Sequence, residues 1–227
     1  MLDHFRYFVQ IHPKGWLHLL GLTLLLGFCP AAYSASKTLL VLGDSISAEY
    51  GLPRDSGWVA LLRQRCQQQN LKLEIINASI SGDTTSGGRA RLPALLKQHQ
   101  PAWVIIELGG NDGLRGLPVA ETEANLLAMT RAAQQAKAQV LLLGMRMPPN
   151  YGRSYTEQFF ASFGKVAKQQ NAALLPFFLE KVADDITLFQ SDRIHPNQKA
   201  QAILLDNVWP HLQPLISGKK PAGKQVR

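Results

Sequence analysis

The sequence predicts an α/β protein, a three-layer α/β/α sandwich around a central five-stranded, mostly parallel sheet. Three observations carry that expectation. Short apolar runs alternate with longer amphipathic segments from Thr38 to Leu215. The best of the runs are continuous rather than alternating, as strands buried on both faces must be. Several of them end in clusters of small and polar residues, which mark turns.

The first run, Thr38-Leu39-Leu40-Val41-Leu42, is stopped abruptly by Gly43-Asp44-Ser45. Apolar positions at Val59, Leu62 and Cys66 predict a helix from Gly57 to Gln69, and a second strand follows over Lys72–Ala78. After the loop Ser79–Thr85, a helix is expected over Ser86–Gln98, with Pro93 dividing it or marking its true start. Ala102–Leu108 reads as the third strand and ends in the turn Gly109-Gly110-Asn111-Asp112-Gly113. Val119–Ala136 has helical periodicity and begins with acids, as the helix dipole prefers. Gln139–Leu143 is the fourth strand, Gly144–Gly152 a loop, Tyr155–Gln170 a helix and Ala173–Leu175 a short fifth strand. Phe177–Ala183 has helical spacing, Asp184–His195 reads as a loop, and a last helix is expected from Pro196 to Leu215.

Residues 1–35 have the order of a secretory signal. Arg6 and Lys14 precede the apolar run Trp16–Phe28, and small residues follow up to Ala35, which places cleavage near Ser34 or Ala35. The run is shorter than the roughly 20 residues a membrane span needs. The expectation is therefore a periplasmic or secreted protein with no stable membrane anchor after cleavage. One domain is expected over residues 36–217, followed by a basic, disordered tail over 218–227. Cleavage would leave Cys66 alone, without a disulfide partner, and its place in a helical pattern suits a buried small hydrophobe.

Lys and Arg number 24 against 16 acids, a formal charge of +8, and part of the excess sits in the tail at Lys219, Lys220, Lys224 and Arg227. No stripe of basic residues interleaves with aromatics, so a nucleic-acid partner is not expected.

Open α/β sheets place their ligands at the carboxyl ends of the strands. Ser45, Gly82 and Asn111 all follow predicted strand ends, on separate loops. A serine hydroxyl becomes a nucleophile when a base takes its proton, and imidazole is the usual base. Beyond residue 35 the histidines are His99, His195 and His211. His99 closes a helix, where its cation suits the dipole, and His211 lies inside the last helix. His195 stands in a loop, in Asp192-Arg193-Ile194-His195-Pro196. One tight turn there brings the Asp192 carboxylate to the imidazole and leaves the other ring nitrogen for Ser45. The backbone N–H groups of Ser45 and Gly82 and the side-chain amide of Asn111 are candidate donors to an oxyanion. Each residue alone also fits a structural role: Gly82 in a turn, Asn111 as a cap, Asp192 and His195 as ordinary loop residues.

Together, Gly43-Asp44-Ser45, Ser81-Gly82-Asp83, Gly109-Gly110-Asn111-Asp112 and Asp192-Arg193-Ile194-His195-Pro196 resemble, in order and spacing, the four blocks of the SGNH (GDSL-type) hydrolases. The resemblance runs from Leu39 to about Leu215. It is strongest to the periplasmic multifunctional thioesterase/protease/lysophospholipase group and the related bacterial arylesterases. It extends to Gly113-Leu114-Arg115-Gly116 and Pro148-Pro149-Asn150-Tyr151-Gly152.

The resemblance implies a flavodoxin-like fold and a serine hydrolase that needs no metal or cofactor. Ser45, Asp192 and His195 would be its triad, and Ser45, Gly82 and Asn111 its oxyanion hole. It further implies a small-molecule acyl ester substrate and a loop, Gly113–Pro118, that moves over the acyl chain. Leu114 and Leu117 in that loop, with Pro149 and Tyr151, are then the expected substrate contacts. The same loop equally suits an ordinary turn that buries two leucines. Asp44 and Asp112 rank behind Asp192 as the acid for His195. Arg193, where the group more often has Gly, and Met147-Pro148-Pro149, for its commoner Leu-Pro-Ala, bear on the rim and on substrate preference. A carbohydrate O-deacetylase and a non-catalytic lipid-binding module on the same scaffold are the alternatives.

Overall fold

The structure, a computed structural model, describes residues 37–218. The expected signal segment and its cleavage point, and the tail from Lys219 onward, lie outside the described residues. Within them the strands are β1 (Lys37–Gly43), β2 (Leu73–Asn77), β3 (Trp103–Glu107), β4 (Gln139–Leu143) and β5 (Ala173–Leu175). They form one sheet in the order β2-β1-β3-β4-β5, and every neighbouring pair is parallel. All the carboxyl ends therefore lie along one edge. β3 is the central strand with β1 beside it, and their Leu39–Leu42 and Val104–Ile106 side chains are fully buried, which accounts for the unbroken apolar runs.

The α-helices among the described residues are α1 (Trp58–Gln68), α2 (Thr85–His99), α3 (Gly110–Leu114), α4 (Val119–Gln135), α5 (Arg153–Gln170) and α6 (Gln201–Ile216). α2, α4 and α5 pack side by side, while α1 packs against α6. Their apolar stripes, including Leu92, Leu126, Phe159 and Phe163 in one group and Trp58, Leu62, Leu204 and Val208 in the other, complete the core with the sheet. Cys66 is buried among these side chains, as expected of a small hydrophobe.

Several boundaries differ from the sequence expectation. Pro93 neither divides nor starts α2, which runs continuously from Thr85 to His99 with Thr84 as its cap. The turn at Gly110–Leu114 is a short helix, closed by the Gly113 N–H on the Gly109 carbonyl. Phe177–Ala183 is a series of turns rather than a helix, because the Phe178 N–H pairs with the Gly144 carbonyl and Lys181 takes a positive φ of 62°. The last helix does not begin at Pro196. Pro196 forms an antiparallel bridge with Phe189, the Asn197 side chain caps a 3-10 turn over Gln198–Ala200, and α6 starts at Gln201. A concavity of about 550 Å³ lies at the opposite edge of the sheet, beside Gln139, Val140, Ala172 and Ala173, away from the loops described next.

Candidate active site

The turn after β1 puts Ser45 at the carboxyl edge. Asp44 Oδ1 accepts the Ile46 N–H at 3.0 Å, and the Ala48 N–H reaches the Asp44 carbonyl at 2.9 Å. These bonds bend the chain sharply at the end of a buried strand. Ser45 is 8% exposed, so its hydroxyl is reached only from the rim.

His195 comes to this serine from the loop before α6. Its Nε2 lies 2.9 Å from Ser45 Oγ, and its Nδ1 lies 2.7 Å from Asp192 Oδ2. Asp192 Oδ1 accepts the backbone N–H groups of Ile194 (2.9 Å) and His195 (3.0 Å), which folds the tripeptide back on the carboxylate. Desolvation raises the Asp192 carboxyl, but these two amides and the His195 ring outweigh it and hold it at about 2. It is therefore ionised wherever a neutral imidazole exists. With Nδ1–H donated to Asp192, Nε2 is the basic nitrogen and faces the hydroxyl. The ring of Tyr50 tilts over the imidazole at 4.5 Å between centroids, a neighbour the sequence did not suggest.

Two of the oxyanion candidates are tied to the turn that carries Ser45: Asn111 through Asp44, and the Gly82 loop through the Ile80 N–H on the Gly43 carbonyl at 3.0 Å. Gly82 has φ +79°, in a turn where the Asp83 N–H donates to the Ile80 carbonyl at 3.1 Å. That left-handed value is the reason a glycine stands there. Arg115 Nη2 donates to the Gly82 carbonyl at 2.9 Å, and Arg91 ties the same loop to β1 through Asp83 Oδ2 (2.8 Å) and the Gly43 carbonyl (3.3 Å). Among the described residues, the N–H groups of Ser45 and Gly82 donate to no protein acceptor. Asn111, in α3, gives one Nδ2 hydrogen to Asp44 Oδ2 at 3.1 Å and keeps the other free. Among the described residues, each of the three candidates therefore keeps an N–H without a protein acceptor.

The other two acids do not face His195 as partners. Asp112 accepts both the hydroxyl and the N–H of Thr85, joining α3 to the start of α2. Asp44 carries the Ile46 and Asn111 donors on its two oxygens. Burial pushes its carboxyl up to about 6, against the lowering effects of the Ile46 amide, His195 and Asn111. Beneath it, Glu107 is fully buried at the end of β3, and burial followed by the charge of Asp44 raises its carboxyl well above the usual range. Sequence reasoning read Glu107 only as part of a strand. Its one signal was an ionisable residue inside an apolar run.

The expected substrate contacts are only partly gathered. Leu114 is 38% exposed at the end of α3, next to Arg115 and thus beside the Gly82 loop, whereas Leu117 is half-buried. The Tyr151 hydroxyl donates to the Leu114 carbonyl at 3.0 Å and the Tyr155 hydroxyl to the Leu117 carbonyl at 2.9 Å. Two tyrosine hydroxyls thus tie the backbone of Gly113–Pro118, and of its two leucines Leu114 is exposed and Leu117 half-buried. Tyr151 reaches the loop backbone rather than the serine, and Pro149 is exposed in a 3-10 turn.

A parallel α/β/α sandwich with a serine, histidine and carboxylate in hydrogen-bonded line at its carboxyl edge defines the class of serine hydrolases. Comparison with known proteins narrows this. Residues 41–203 match the model of the GDSL-like Lipase/Acylhydrolase family. The chain is 54% identical over 183 residues to Esterase TesA of Pseudomonas aeruginosa, covering 81% of this chain and 91% of that protein. It is 49% identical over 184 residues to Thioesterase 1/protease 1/lysophospholipase L1 of Escherichia coli strain K12, covering 81% of this chain and 87% of that one. Among solved structures, the psychrotrophic esterase EstA from Pseudoalteromonas sp., inhibited by monoethylphosphonate, superposes with a TM-score of 0.76 at 42% identity, over 80% of this chain and 99% of the other. The chain belongs to the GDSL-like lipase/acylhydrolase family, and it is an ester-hydrolysing enzyme.

Proposed function

We propose that the enzyme hydrolyses carboxylic esters through an acyl-enzyme on Ser45, with aryl esters, short to medium acyl esters and lysophospholipids as its substrate class and acyl thioesters within its reach. The observation that carries the reading is the unbroken line Asp192–His195–Ser45, with contacts of 2.7 and 2.9 Å. His195 Nε2 takes the hydroxyl proton as Ser45 Oγ attacks the carbonyl carbon. The negative charge that develops on the carbonyl oxygen is met by the Ser45 and Gly82 N–H groups and by Asn111 Nδ2–H. As the intermediate collapses, His195 returns the proton to the leaving alkoxide, phenolate or thiolate, and the acyl group stays on Ser45. Water then attacks the acyl carbon as His195 takes its proton; on collapse the bond from Ser45 Oγ to the acyl carbon breaks, His195 returns the proton to Oγ, and the carboxylic acid leaves.

Each role follows from position. Asp192 holds the imidazole tautomer and stabilises the imidazolium, and Asp44 turns the Asn111 amide toward the oxyanion. Leu114, with Tyr151 holding its backbone, supports an apolar wall for the acyl chain, a reading favoured by the names of the esterase and lysophospholipase relatives. The sequence of residues 1–35 supports export, and an exported enzyme meets esters far more than acyl-CoA.

The test is hydrolysis of p-nitrophenyl acetate, butyrate, octanoate and palmitate, with octanoyl-CoA beside them, by the wild type and Ser45→Ala. An optimum at one chain length that vanishes in Ser45→Ala is expected. Turnover that survives in Ser45→Ala would remove the acyl-enzyme, and bound fatty acid with no turnover in the wild type would leave a binding protein.

A further inference from the structure

Beyond the line from Asp192 to Ser45, a second chain of polar groups joins the loops that carry the nucleophile and the base. Glu107 Oε2 accepts the Ser47 hydroxyl at 2.6 Å and the Asp44 backbone N–H at 3.3 Å. Ser47 Oγ in turn accepts the indole N–H of Trp58 at 3.1 Å. The backbone N–H of Trp58, first residue of α1, donates to Gln201 Oε1 at 3.0 Å. Gln201 Nε2 donates to the carbonyls of Asn197 (3.0 Å) and Pro196 (3.4 Å), the two residues that follow His195. Ser47, Trp58, Glu107 and Gln201 are each at most 1% exposed.

We propose that Glu107 and Gln201 are positioning residues for ester hydrolysis: as the two ends of this buried chain they set the separation between Ser45 Oγ and His195 Nε2. The inference rests on Ser45 and His195 being nucleophile and base. Neither Glu107 nor Gln201 is accessible to substrate, so neither is a catalytic residue in its own right. A structural core at these positions needs no polar atoms, since apolar side chains would fill the space without hydrogen-bonding requirements. Their bonds instead run to the backbone on either side of the reacting pair. Gln201 holds the first residues after His195, and Glu107 holds the residues on both sides of Ser45 through Asp44 N–H and Ser47 Oγ. A second tie, from Gln190 Nε2 to the Tyr50 carbonyl at 2.8 Å and the Pro196 carbonyl at 3.3 Å, is more exposed and so more easily replaced by water.

The end of β1 is shaped to the same chain. A Cβ on Gly43 would come within 2.7 Å of Glu107 Oε2 and 2.8 Å of Ser47 Oγ, so a glycine there lets the carboxyl lie directly under the nucleophile turn. Burial, with Asp44 as neighbour, raises the Glu107 carboxyl well above the usual range and so favours its neutral form, and among the described residues its Oε1 has no hydrogen-bond partner. A glutamine amide can therefore replace it: the carbonyl oxygen takes the Ser47 and Asp44 bonds, and the amide nitrogen takes the place of Oε1.

The experiment measures p-nitrophenyl acetate hydrolysis per active site, counted by exhaustive reaction with a p-nitrophenyl alkylphosphonate, for Gln201→Met, Glu107→Leu, Glu107→Gln and the double variant Gln201→Met/Glu107→Leu. Misplacement of reacting groups by as little as an ångström costs on the order of 100-fold, so kcat is expected to fall about 10- to 100-fold in Gln201→Met and Glu107→Leu, with KM changed less than about threefold. Glu107→Gln should keep kcat within about threefold of wild type, and the double variant should lose less than the product of the single losses. If Glu107→Leu does not fold, Ser47→Ala cuts the chain at its middle and carries the same expectation. A lowered melting temperature with unchanged kcat per titrated site in Gln201→Met and Glu107→Leu would make the chain structural only and overturn the proposal. Glu107→Gln as impaired as Glu107→Leu would overturn the part given to Glu107. Ser45→Ala, run beside them, separates the two levels. Turnover in that variant sinks the nucleophile itself, whereas its silence alongside fully active positioning variants sinks only this inference.

Discussion

Asp44 Oδ2 accepts the side-chain amide of Asn111 at 3.1 Å, so the acid that precedes Ser45 orients one of the three proposed oxyanion donors. Both Asp44 oxygens are already engaged, one by the Ile46 N–H and one by Asn111. A proton on either oxygen, or an amide nitrogen in its place, must displace a donor. Asp44→Asn is therefore expected to lower kcat on p-nitrophenyl butyrate by roughly 10- to 100-fold with KM little changed, short of the loss from removing an oxyanion donor outright. Steady-state kinetics at pH 8 check this. An unchanged kcat would show that Asn111 needs no acid to hold it.

The buried acids also set how stability depends on pH. Glu107 has its folded value raised, so the folded protein keeps a proton that the unfolded chain releases above its ordinary 4.5. That contribution is fully present below 4.5 and is lost as pH rises through the folded value. Asp44 acts with the same sign between 3.8 and about 6. Asp192 acts oppositely: its depressed value stabilises the fold above 3.8 and the benefit goes as pH falls toward about 2, though its side chain is 37% exposed and solvent weakens the effect. Melting temperatures measured from pH 5 to pH 8 should decline with rising pH, and Glu107→Gln should flatten the decline.

Gly82→Ala separates backbone conformation from space. The nearest atom to an added Cβ is Arg115 Nη2 at 3.9 Å, so nothing is crowded, but φ is +79°. The strain of a left-handed residue costs about 1–2 kcal/mol, which the folded enzyme relieves by turning the peptide. That rotation moves the Gly82 N–H. The expected result is a small loss in denaturant stability with kcat lowered by roughly 10- to 1000-fold.

Removing the Tyr151 hydroxyl releases the Leu114 carbonyl from its 3.0 Å bond, while Tyr155 still holds Leu117. Tyr151→Phe should therefore alter the wall for long chains and spare the chemistry. KM for p-nitrophenyl octanoate is expected to change by about threefold or more while acetate turnover stays within about twofold, the signature of altered binding alone.

Much of this site was legible in the sequence because its parts are local. Asp192 and His195 stand three residues apart, and a short loop suffices to join them. The small residues after β1, β2 and β3 announce strand ends, and a parallel sheet brings those ends to one edge whatever the details of packing. The tertiary ties were not legible. Glu107 lies in a strand whose neighbours are all apolar, and only the approach of the Asp44–Ser47 turn from β1 gives it partners. Gln201 meets Trp58 across the α1–α6 contact, 143 residues away in sequence. The same cause moved the start of α6. The Asn197 N–H is taken by the Leu188 carbonyl at 2.7 Å, so the chain at Pro196 stays extended although a proline there favours a helix start. In Phe177–Ala183 the apolar spacing was helical, but the Phe178 N–H pairs with Gly144 at the end of β4 and the backbone turns instead.

The claim that most needs testing is that Ser45 is the nucleophile. Incubation of the protein with a p-nitrophenyl alkylphosphonate, followed by intact-mass and peptide mass spectrometry, addresses it directly. One adduct per chain is expected, placed on the peptide that contains Ser45, with p-nitrophenol released in equal amount and all esterase activity lost. No adduct is expected on Ser45→Ala, and slow labelling on His195→Ala. Loss of activity with the adduct on another residue, or full activity in a chain labelled at Ser45, would contradict that claim.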